Sequence, residues 1–147
     1  MLDRFRRYVR AGGPSDCWLW CGAVASAGHG RFWIRNGLVV IAHRFAWAIA
    51  HPGDPLPRLL AHQCDNPLCQ NPSHLHPSDQ TGNRREWAAR RQQIGSPLRD
   101  VRGSRGRAVA VRDAVRAGDD PAAAIAAGLR PVDAGQGVLW LDPEVLG

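Results

Sequence analysis

The feature that most constrains this chain is a dense run of cysteine and histidine over residues 59–84, LLAHQCDNPLCQNPSHLHPSDQTGNR. Within it, four residues separate Cys64 from Cys69, and four more separate Cys69 from His74. Two thiols and an imidazole on a tight loop are the soft-to-borderline ligands that a tetrahedral zinc ion takes. They supply three ligands, so a fourth must come from elsewhere in the chain or from water. The stretch predicts a zinc site, with a plain Cys/His loop as the alternative.

Composition and charge narrow the class of protein. The 147 residues are enough for one compact domain, or for one small domain with an appendage. All 19 basic residues are arginine and the net charge is +6, a balance that favours a polyanion such as nucleic acid. There is no secretory signal and no apolar run that could cross a membrane, so we expect a cytoplasmic protein. In that reducing compartment the four cysteines are better interpreted as thiolate ligands than as disulfides.

Hydrophobic periodicity and turn residues predict a series of short elements before residue 95. The Asn36-Gly37 pair is typical of a tight hairpin turn, and Ser78 or Asp79 can cap a helix. The predicted elements are a helix over 2–9, a strand over 16–21, strands over 31–34 and 38–41, a helix over 42–50, a strand over 59–63 and a helix from 78 or 79 to about 93.

The central stretch also carries a resemblance. The motif H-x-C-x4-C-Q-N-P-x-H-L over residues 62–75, followed nine positions after His74 by Asn83, resembles the His-Cys-box branch of the HNH (ββα-metal) endonucleases. The blocks C-W-L-W at 17–20 and A-H-R at 42–44 are similar to those of phage and actinobacterial members. The likeness covers about residues 1–95. It implies an α+β, zinc-stapled ββα-metal nuclease fold and hydrolysis of DNA phosphodiester bonds.

The resemblance implies two catalytic roles. His62 would be the general base that deprotonates the attacking water, and an imidazole titrating near neutrality suits that task. Asn83 would offer its carbonyl oxygen to a catalytic Mg²⁺ or Mn²⁺ ion. Ala61 stands where many members carry a second, acidic ligand, so we expect Asn83 to be the only protein ligand. The alternatives are a core or zinc-ligating His62 and a solvent-facing Asn83.

The same resemblance implies the zinc ligands. Cys17, from the C-W-L-W block, would complete a site made by Cys64, Cys69 and His74. A four-cysteine ribbon that uses Cys21 and frees His74 is the alternative. The predicted strand over 16–21 would put Cys17 and Cys21 on one face, at a separation awkward for a single ion.

Arginines are the candidate contacts to DNA. We expect Arg31 to neutralise the scissile phosphate, since a guanidinium can grip a phosphate with two hydrogen bonds, or else to contact the DNA backbone. His43 is expected to brace the interior. The helix after residue 78 carries four arginines that could follow phosphates, with a merely solvated helix face as the alternative: Arg84, Arg85, Arg90 and Arg91.

Composition changes after Gly95. The Gly/Arg/Ser-rich stretch over 96–106 predicts a basic linker between a nuclease domain over 1–95 and a helical region over 107–147. Two alanine-rich helices are expected in that region, over 108–117 and 121–129. The pair resembles a degenerate helix-turn-helix, and a small packing appendage is the alternative.

The C-terminal tail and the oligomeric state bear on possible partners. Gln136–Leu141, Q-G-V-L-W-L, is similar to peptides that dock on the bacterial sliding clamp, and a tail that packs on its own domain is the alternative. A homodimer would suit double-strand cutting, which needs two active sites. The rival functions are a non-catalytic zinc-containing DNA-binding module on the same scaffold and a zinc-ribbon protein-interaction domain.

Overall fold

The computed structural model describes residues 1–134, so the predicted clamp-docking peptide over Gln136–Leu141 lies outside the described residues. The helices are α1 (Leu2–Arg6), α2 (Ala42–Ala50), α3 (Gln80–Arg90), α4 (Gly103–Ala117) and α5 (Pro121–Ala126), with 3-10 turns at Pro72–His74 and Pro97–Arg99. The strands are β1 (Val9–Arg10), β2 (Leu19–Trp20), β3 (Arg31–Arg35), β4 (Leu38–Ile41), β5 (Leu59–His62) and β6 (Leu75–Ser78). They form three antiparallel pairs, β1 with β2, β3 with β4 and β5 with β6. A small mixed fold of helices and short antiparallel strand pairs is therefore confirmed.

An aromatic cluster forms the centre of the hydrophobic core. Phe5 of α1 packs against Trp20 with ring centroids 5.5 Å apart and against Phe32 at 5.2 Å. Pairs of this kind contribute about 0.5–1.5 kcal/mol each beyond their buried area. The Trp20 indole is fully buried, donates to the carbonyl of Ala23 at 3.0 Å, and lies so close to Gly30 that a Cβ there would be 2.7 Å from the ring. Glycine is therefore required at that position for the indole to pack.

The N-terminal elements are shorter than predicted. The helix expected over 2–9 ends at Arg6, because Val9 and Arg10 pair with Trp20 and Leu19 instead. The strand expected over 16–21 is reduced to Leu19–Trp20. This strand also contacts the segment between β5 and β6, residues 63–74, here called the metal loop, since the amide of Trp20 donates to the carbonyl of Leu68 at 3.0 Å.

The middle of the chain follows its local sequence signals closely. Gly37 has a φ of 74°, which the hairpin turn between β3 and β4 requires. Helix α2 has the predicted bounds and buries Ala42, His43 and Ala46. Asp79 caps α3 by accepting from the amide of Gly82 at 2.7 Å. In order, β5, the metal loop, β6 and α3 make a strand–strand–helix unit.

The C-terminal region packs on the same core. The stretch predicted as a linker contains the turn Pro97–Arg99 and the start of α4, which begins at Gly103 rather than near residue 108. Helix α4 contributes Ala108, Val111 and Val115 to the core around the aromatic cluster. Its apolar face therefore packs against the N-terminal part of the chain. No helix in residues 1–134 is long and apolar enough to span a bilayer.

Candidate metal centre and adjoining cavity

Four side chains converge at one end of the metal loop. The ligand atoms of Cys17, Cys64, Cys69 and His74, here called the Cys/His cluster, all lie within 4.8 Å of one another. His74 Nδ1 is 3.7 Å from Cys17 Sγ and 3.4 Å from Cys69 Sγ. Cys17 comes from the turn before β2, and the other three come from the segment between β5 and β6. Three thiols and one imidazole form a donor set that can bind a metal ion such as zinc.

The hydrogen bonds around the Cys/His cluster fit a metal site. The Nε2–H group of His74 donates to the carbonyl of Ser15 at 3.1 Å, which leaves Nδ1 with the lone pair that faces the thiols. The amide of Asn71 donates to Cys69 Sγ at 3.4 Å. The Asn71 side chain donates to the carbonyls of Pro14 and Asp16, both at 2.8 Å. These bonds fasten the turn that carries Cys17 to the turn that carries His74.

Crowding of the three thiols favours one thiolate among them. Hydrogen bonds from the thiols of Cys64 and Cys69 lower the pKa of Cys17 to about 2. Hydrogen bonding to Cys17 raises the pKa of Cys69 to about 11, and raises that of Cys64 further. A second and a third thiolate are therefore costly without a cation. A bound divalent cation would stabilise the thiolates and so remove that cost. The donor set therefore suits a divalent ion.

Cys21 lies outside this cluster. Its thiol donates weakly to the carbonyl of Leu19 at 3.6 Å and packs against the hydrophobic core, where burial raises its pKa. The four-cysteine alternative is wrong, because β2 is too short to keep Cys17 and Cys21 on one strand face. Cys17 instead turns toward His74.

A second group of side chains adjoins the first. His29, His43 and His62, here called the histidine cluster, each place one ring nitrogen within 4.8 Å of the other two. The ring centroids are 4.6 Å apart for His43 and His62, 5.1 Å for His29 and His43, and 5.8 Å for His29 and His62. The three residues come from the turn before β3, the first turn of α2 and the end of β5. Sequence reasoning missed His29, whose only local signal was a Gly-His-Gly turn.

Burial lowers the pKa of all three imidazoles, and they are incompletely hydrogen-bonded within the described part of the chain. Burial, with smaller contributions from the neighbouring imidazoles, lowers the pKa of His43 to about 2, and burial lowers the pKa of His62 to about 4. The Nε2–H group of His62 donates to the carbonyl of Cys69 at 3.1 Å, so its Nδ1 keeps the free lone pair. Among the described residues, Nδ1 of His29 and Nδ1 of His43 are buried without a hydrogen-bond partner.

A cavity of about 240 Å³ opens beside the histidine cluster. His29 and His62 line one wall, and Asn83, Arg84 and Trp87 of α3 line another. The two residues predicted to be catalytic, His62 and Asn83, thus face one cavity from different elements. Residues from beyond position 95 also contribute, since Leu98 and Ser104 line the same space.

Arg31 lies away from this cavity. Alternation along β3 buries Phe32 and leaves Arg31 exposed, where it lines a separate groove with Arg4 and Trp33. This placement does not support the expected role of Arg31 in neutralising a phosphate next to His62.

The arginines of α3 divide into two groups. Arg90 forms a two-pronged ion pair with Asp65, at 2.8 and 2.9 Å, and also contacts Glu86 at 3.3 Å. The Asp65 carboxylate raises the pKa of Arg90, and Asp65 itself has a φ of 52°. Arg90 therefore fastens α3 to the loop that carries Asp65, and both residues also line the cavity beside His62.

The other three arginines of this segment are more accessible. The guanidinium of Arg91 stacks on the ring of Trp87 at 4.6 Å. Arg84 and Arg85 are exposed, and neither makes an ion pair within residues 1–134. Arg84 also lines the cavity, whereas Arg85 is exposed outside its lining, so both remain candidates for contacts to a DNA backbone.

The fold and the clusters define a small mixed α/β protein with a Cys/His group that can hold a metal ion. Two proteins of Escherichia phage T7 are similar to it. Protein 2.8 is 44% identical over 62 residues, which are 42% of this chain and 41% of that protein. Protein 7.7 is 42% identical over 60 residues, which are 41% of this chain and 45% of that protein. The match therefore spans less than half the length of either relative, and neither name states an activity. No family model and no solved structure matches the chain.

Proposed function

We propose that this protein is a metal-dependent HNH (ββα-metal) endonuclease that hydrolyses phosphodiester bonds in DNA. The observation that carries the proposal is that His62 and Asn83 line one cavity from separate elements. The order β5, β6, α3, with the Cys/His cluster on the loop between the strands, supports it further.

His62 acts as the general base. Its Nε2–H group is held by the carbonyl of Cys69 at 3.1 Å, which fixes the ring and leaves the Nδ1 lone pair to accept a proton from water. Burial lowers the pKa of His62 to about 4, below the near-neutral value expected from the sequence, so its imidazole carries a free lone pair at neutral pH but is a weaker base than an exposed histidine. Because Cys69 also belongs to the Cys/His cluster, the metal loop positions His62.

Asn83 holds the catalytic ion. Its side-chain carbonyl is a hard oxygen donor, which suits Mg²⁺ or Mn²⁺. When bound, such an ion stabilises the negative charge that develops on the leaving 3′ oxygen. The position of Asn83 in the first turn of α3 directs the residue to the cavity that His62 also lines.

Zinc has a structural role in this proposal. Cys17, Cys64, Cys69 and His74 would close its coordination shell with four protein ligands, as structural zinc sites do. The net charge of +6 and the exposed Arg84 and Arg85 would attract the DNA backbone without reading its sequence.

Cleavage of supercoiled plasmid tests the proposal. We expect nicking or linearisation by the zinc-loaded protein with Mg²⁺ or Mn²⁺, and none with a chelator that removes only the weakly bound ion. Asn83→Ala should lose activity by about a hundredfold or more, whereas the exposed Gln80→Ala on the same helix should cut normally. No cutting by folded, zinc-loaded protein on several DNAs would contradict the proposal.

A non-catalytic DNA-binding module on the same scaffold is the second candidate. It is favoured by the burial of His62, which is 9% exposed and lies against two other imidazoles. This candidate predicts DNA affinity that does not change when Mg²⁺ is removed, together with no cleavage.

A further inference from the structure

We propose that His29, His43 and His62 form a second metal site, which takes a borderline divalent transition-metal ion such as Zn²⁺ or Co²⁺. This site shares no ligand with the Cys/His cluster, and Asn83 is not among its ligands. Its ligands come from three separate elements that meet only in the folded chain.

The spacing of the three imidazoles suits a shared ion. One ring nitrogen of each lies within 4.8 Å of the others. Tetrahedral imidazole ligands at about 2.0–2.1 Å from zinc stand roughly 3.3 Å apart, so each ring needs only a small inward rotation. The site therefore requires side-chain adjustment and no change in the fold.

The histidine cluster has buried ring nitrogens without hydrogen-bond partners in the described part of the chain, which proteins rarely leave. Nδ1 of His29 and Nδ1 of His43 are buried without a partner among the described residues, and His43 is 4% exposed. Buried polar atoms normally have a hydrogen-bond partner or a ligand. The Nε2–H group of His62 is already donated to a backbone carbonyl, which is the usual arrangement of a metal-binding histidine.

The chemistry of the cluster selects the class of ion. Imidazole nitrogens suit zinc, cobalt, nickel and copper and bind Mg²⁺ poorly. The neighbouring cavity, lined by His29 and His62, leaves room for a water molecule as a further ligand. Three protein ligands with one position open to solvent make a less closed site than the Cys/His cluster.

Occupation of this site has a consequence that rests on the proposed function. An ion on the histidine cluster takes the lone pair of His62 that the nuclease needs as a base. We expect zinc beyond the first equivalent to inhibit Mg²⁺-dependent cleavage. The histidine cluster would thereby make the activity sensitive to free zinc.

Cobalt titration of the full chain tests the site without relying on activity. Protein whose Cys/His cluster already holds zinc should take up one further equivalent of Co²⁺, with visible absorption bands and no thiolate-to-cobalt charge-transfer band in the near ultraviolet. His29→Phe should weaken this uptake by about a hundredfold or more while it keeps the first zinc. His29→Gln is a second variant in case the phenyl ring disturbs the turn. His51→Phe, outside the cluster, should behave as the wild type.

Any one of three results would contradict the proposed site. The first is that the protein takes up no cobalt beyond the first zinc, and the second is that both His29 variants bind cobalt as well as the wild type. The third is a thiolate-to-cobalt charge-transfer band, which would show that the cobalt binds the thiolates instead. A protein that binds the second ion but cuts no DNA would keep the site and contradict the proposed function instead.

Discussion

The Cys/His cluster and the histidine cluster adjoin the same loop but have opposite surroundings. Around the first, Ser15 and Asn71 supply hydrogen bonds to His74 and Cys69. In the second, buried ring nitrogens lack partners among the described residues and a cavity opens beside them. A closed, fully supported donor set is typical of a structural site, and an open, unsatisfied one is typical of a reactive site.

One residue joins the two clusters. Cys69 directs its thiol to the Cys/His cluster and its carbonyl to Nε2 of His62. We therefore predict that damage to the first cluster removes the fold and the second cluster together, whereas damage to the second leaves the first intact.

Loss of a thiol ligand should have the largest effect. Cys64→Ser removes a zinc ligand, and structural zinc contributes about 10–16 kcal/mol in small peptides, as much as the whole stability of a typical domain. We expect the variant to lose zinc and to unfold at ambient temperature, as measured by metal content and circular dichroism. Cys21→Ser is the matched control and should keep its zinc. Retention of zinc and of the melting temperature by Cys64→Ser would refute the closed site.

Substitution of the buried Arg107 on α4 should have the second-largest effect. Arg107 donates to the side chain of Asn66, within the metal loop, at 3.3 Å and lies 3.9 Å from Asp100. Arg107→Ala should lower the free energy of unfolding by roughly 1.5–3 kcal/mol, because it leaves a buried amide oxygen and a buried carboxylate less well satisfied. Denaturant titration measures this. Arg105→Ala, exposed on the same helix, should change it by less than about 0.5 kcal/mol. Equal effects of the two substitutions would show that α4 does not support the metal loop.

Loss of a hydrogen bond around the Cys/His cluster should lower zinc affinity less than loss of a zinc ligand. Asn71→Ala removes the side chain that ties the carbonyls of Pro14 and Asp16 to the His74 turn. Outer hydrogen bonds of this kind are worth about 10–100-fold in metal affinity, which competition with a chelator would measure. Gln63→Ala, exposed on the same segment, is the control. Zinc affinity unchanged in Asn71→Ala would mean that the two turns hold together without this bridge.

Substitutions of the α3 arginines should have the smallest effects, with Arg85 acting on DNA binding and Arg90 on stability. Arg85→Ala should weaken DNA binding without a change in stability. If Arg85 neutralises one phosphate, the slope of log affinity against log salt concentration should become shallower by about 0.9. Arg90→Ala should instead destabilise the fold, because it leaves Asp65 without its ion pair. DNA affinity as a function of salt concentration, with thermal melting alongside, distinguishes the two. The reverse pattern would contradict this division of roles.

The sequence predicts those helices, turns and caps whose formation is decided by residues close together along the chain. Helix α2, the Asn36-Gly37 hairpin and the Asp79 cap follow from periodicity, turn chemistry and capping. Spacing alone indicates Cys64, Cys69 and His74 as ligands, since all three lie on one short loop. Cys17 could be predicted as a ligand only from the resemblance, because it lies far along the chain from the other three ligands and its spacing does not show that it is close to them in space.

The rest depends on packing between distant parts of the chain. His29 joins the histidine cluster only because β3 and α2 pack against the end of β5, and a lone histidine between two glycines carries no sign of that. The ion pair between Arg90 and Asp65 also joins residues 25 positions apart, which the sequence does not indicate. The contribution of helix α4 to the core is hard to predict because its alanine-rich face gives a weak hydrophobic signal, although Val111 is fully buried.

The most direct test of the two-cluster arrangement measures zinc content, melting temperature and plasmid cleavage on one preparation of His62→Ala, beside wild type and His51→Ala. We predict that His62→Ala keeps the zinc of the Cys/His cluster and its fold, and that its cleavage rate falls by about 10²–10⁴-fold because the general base is removed. His51→Ala should match the wild type in all three measurements. Cleavage by His62→Ala at the wild-type rate would show that the histidine cluster is not the reactive site.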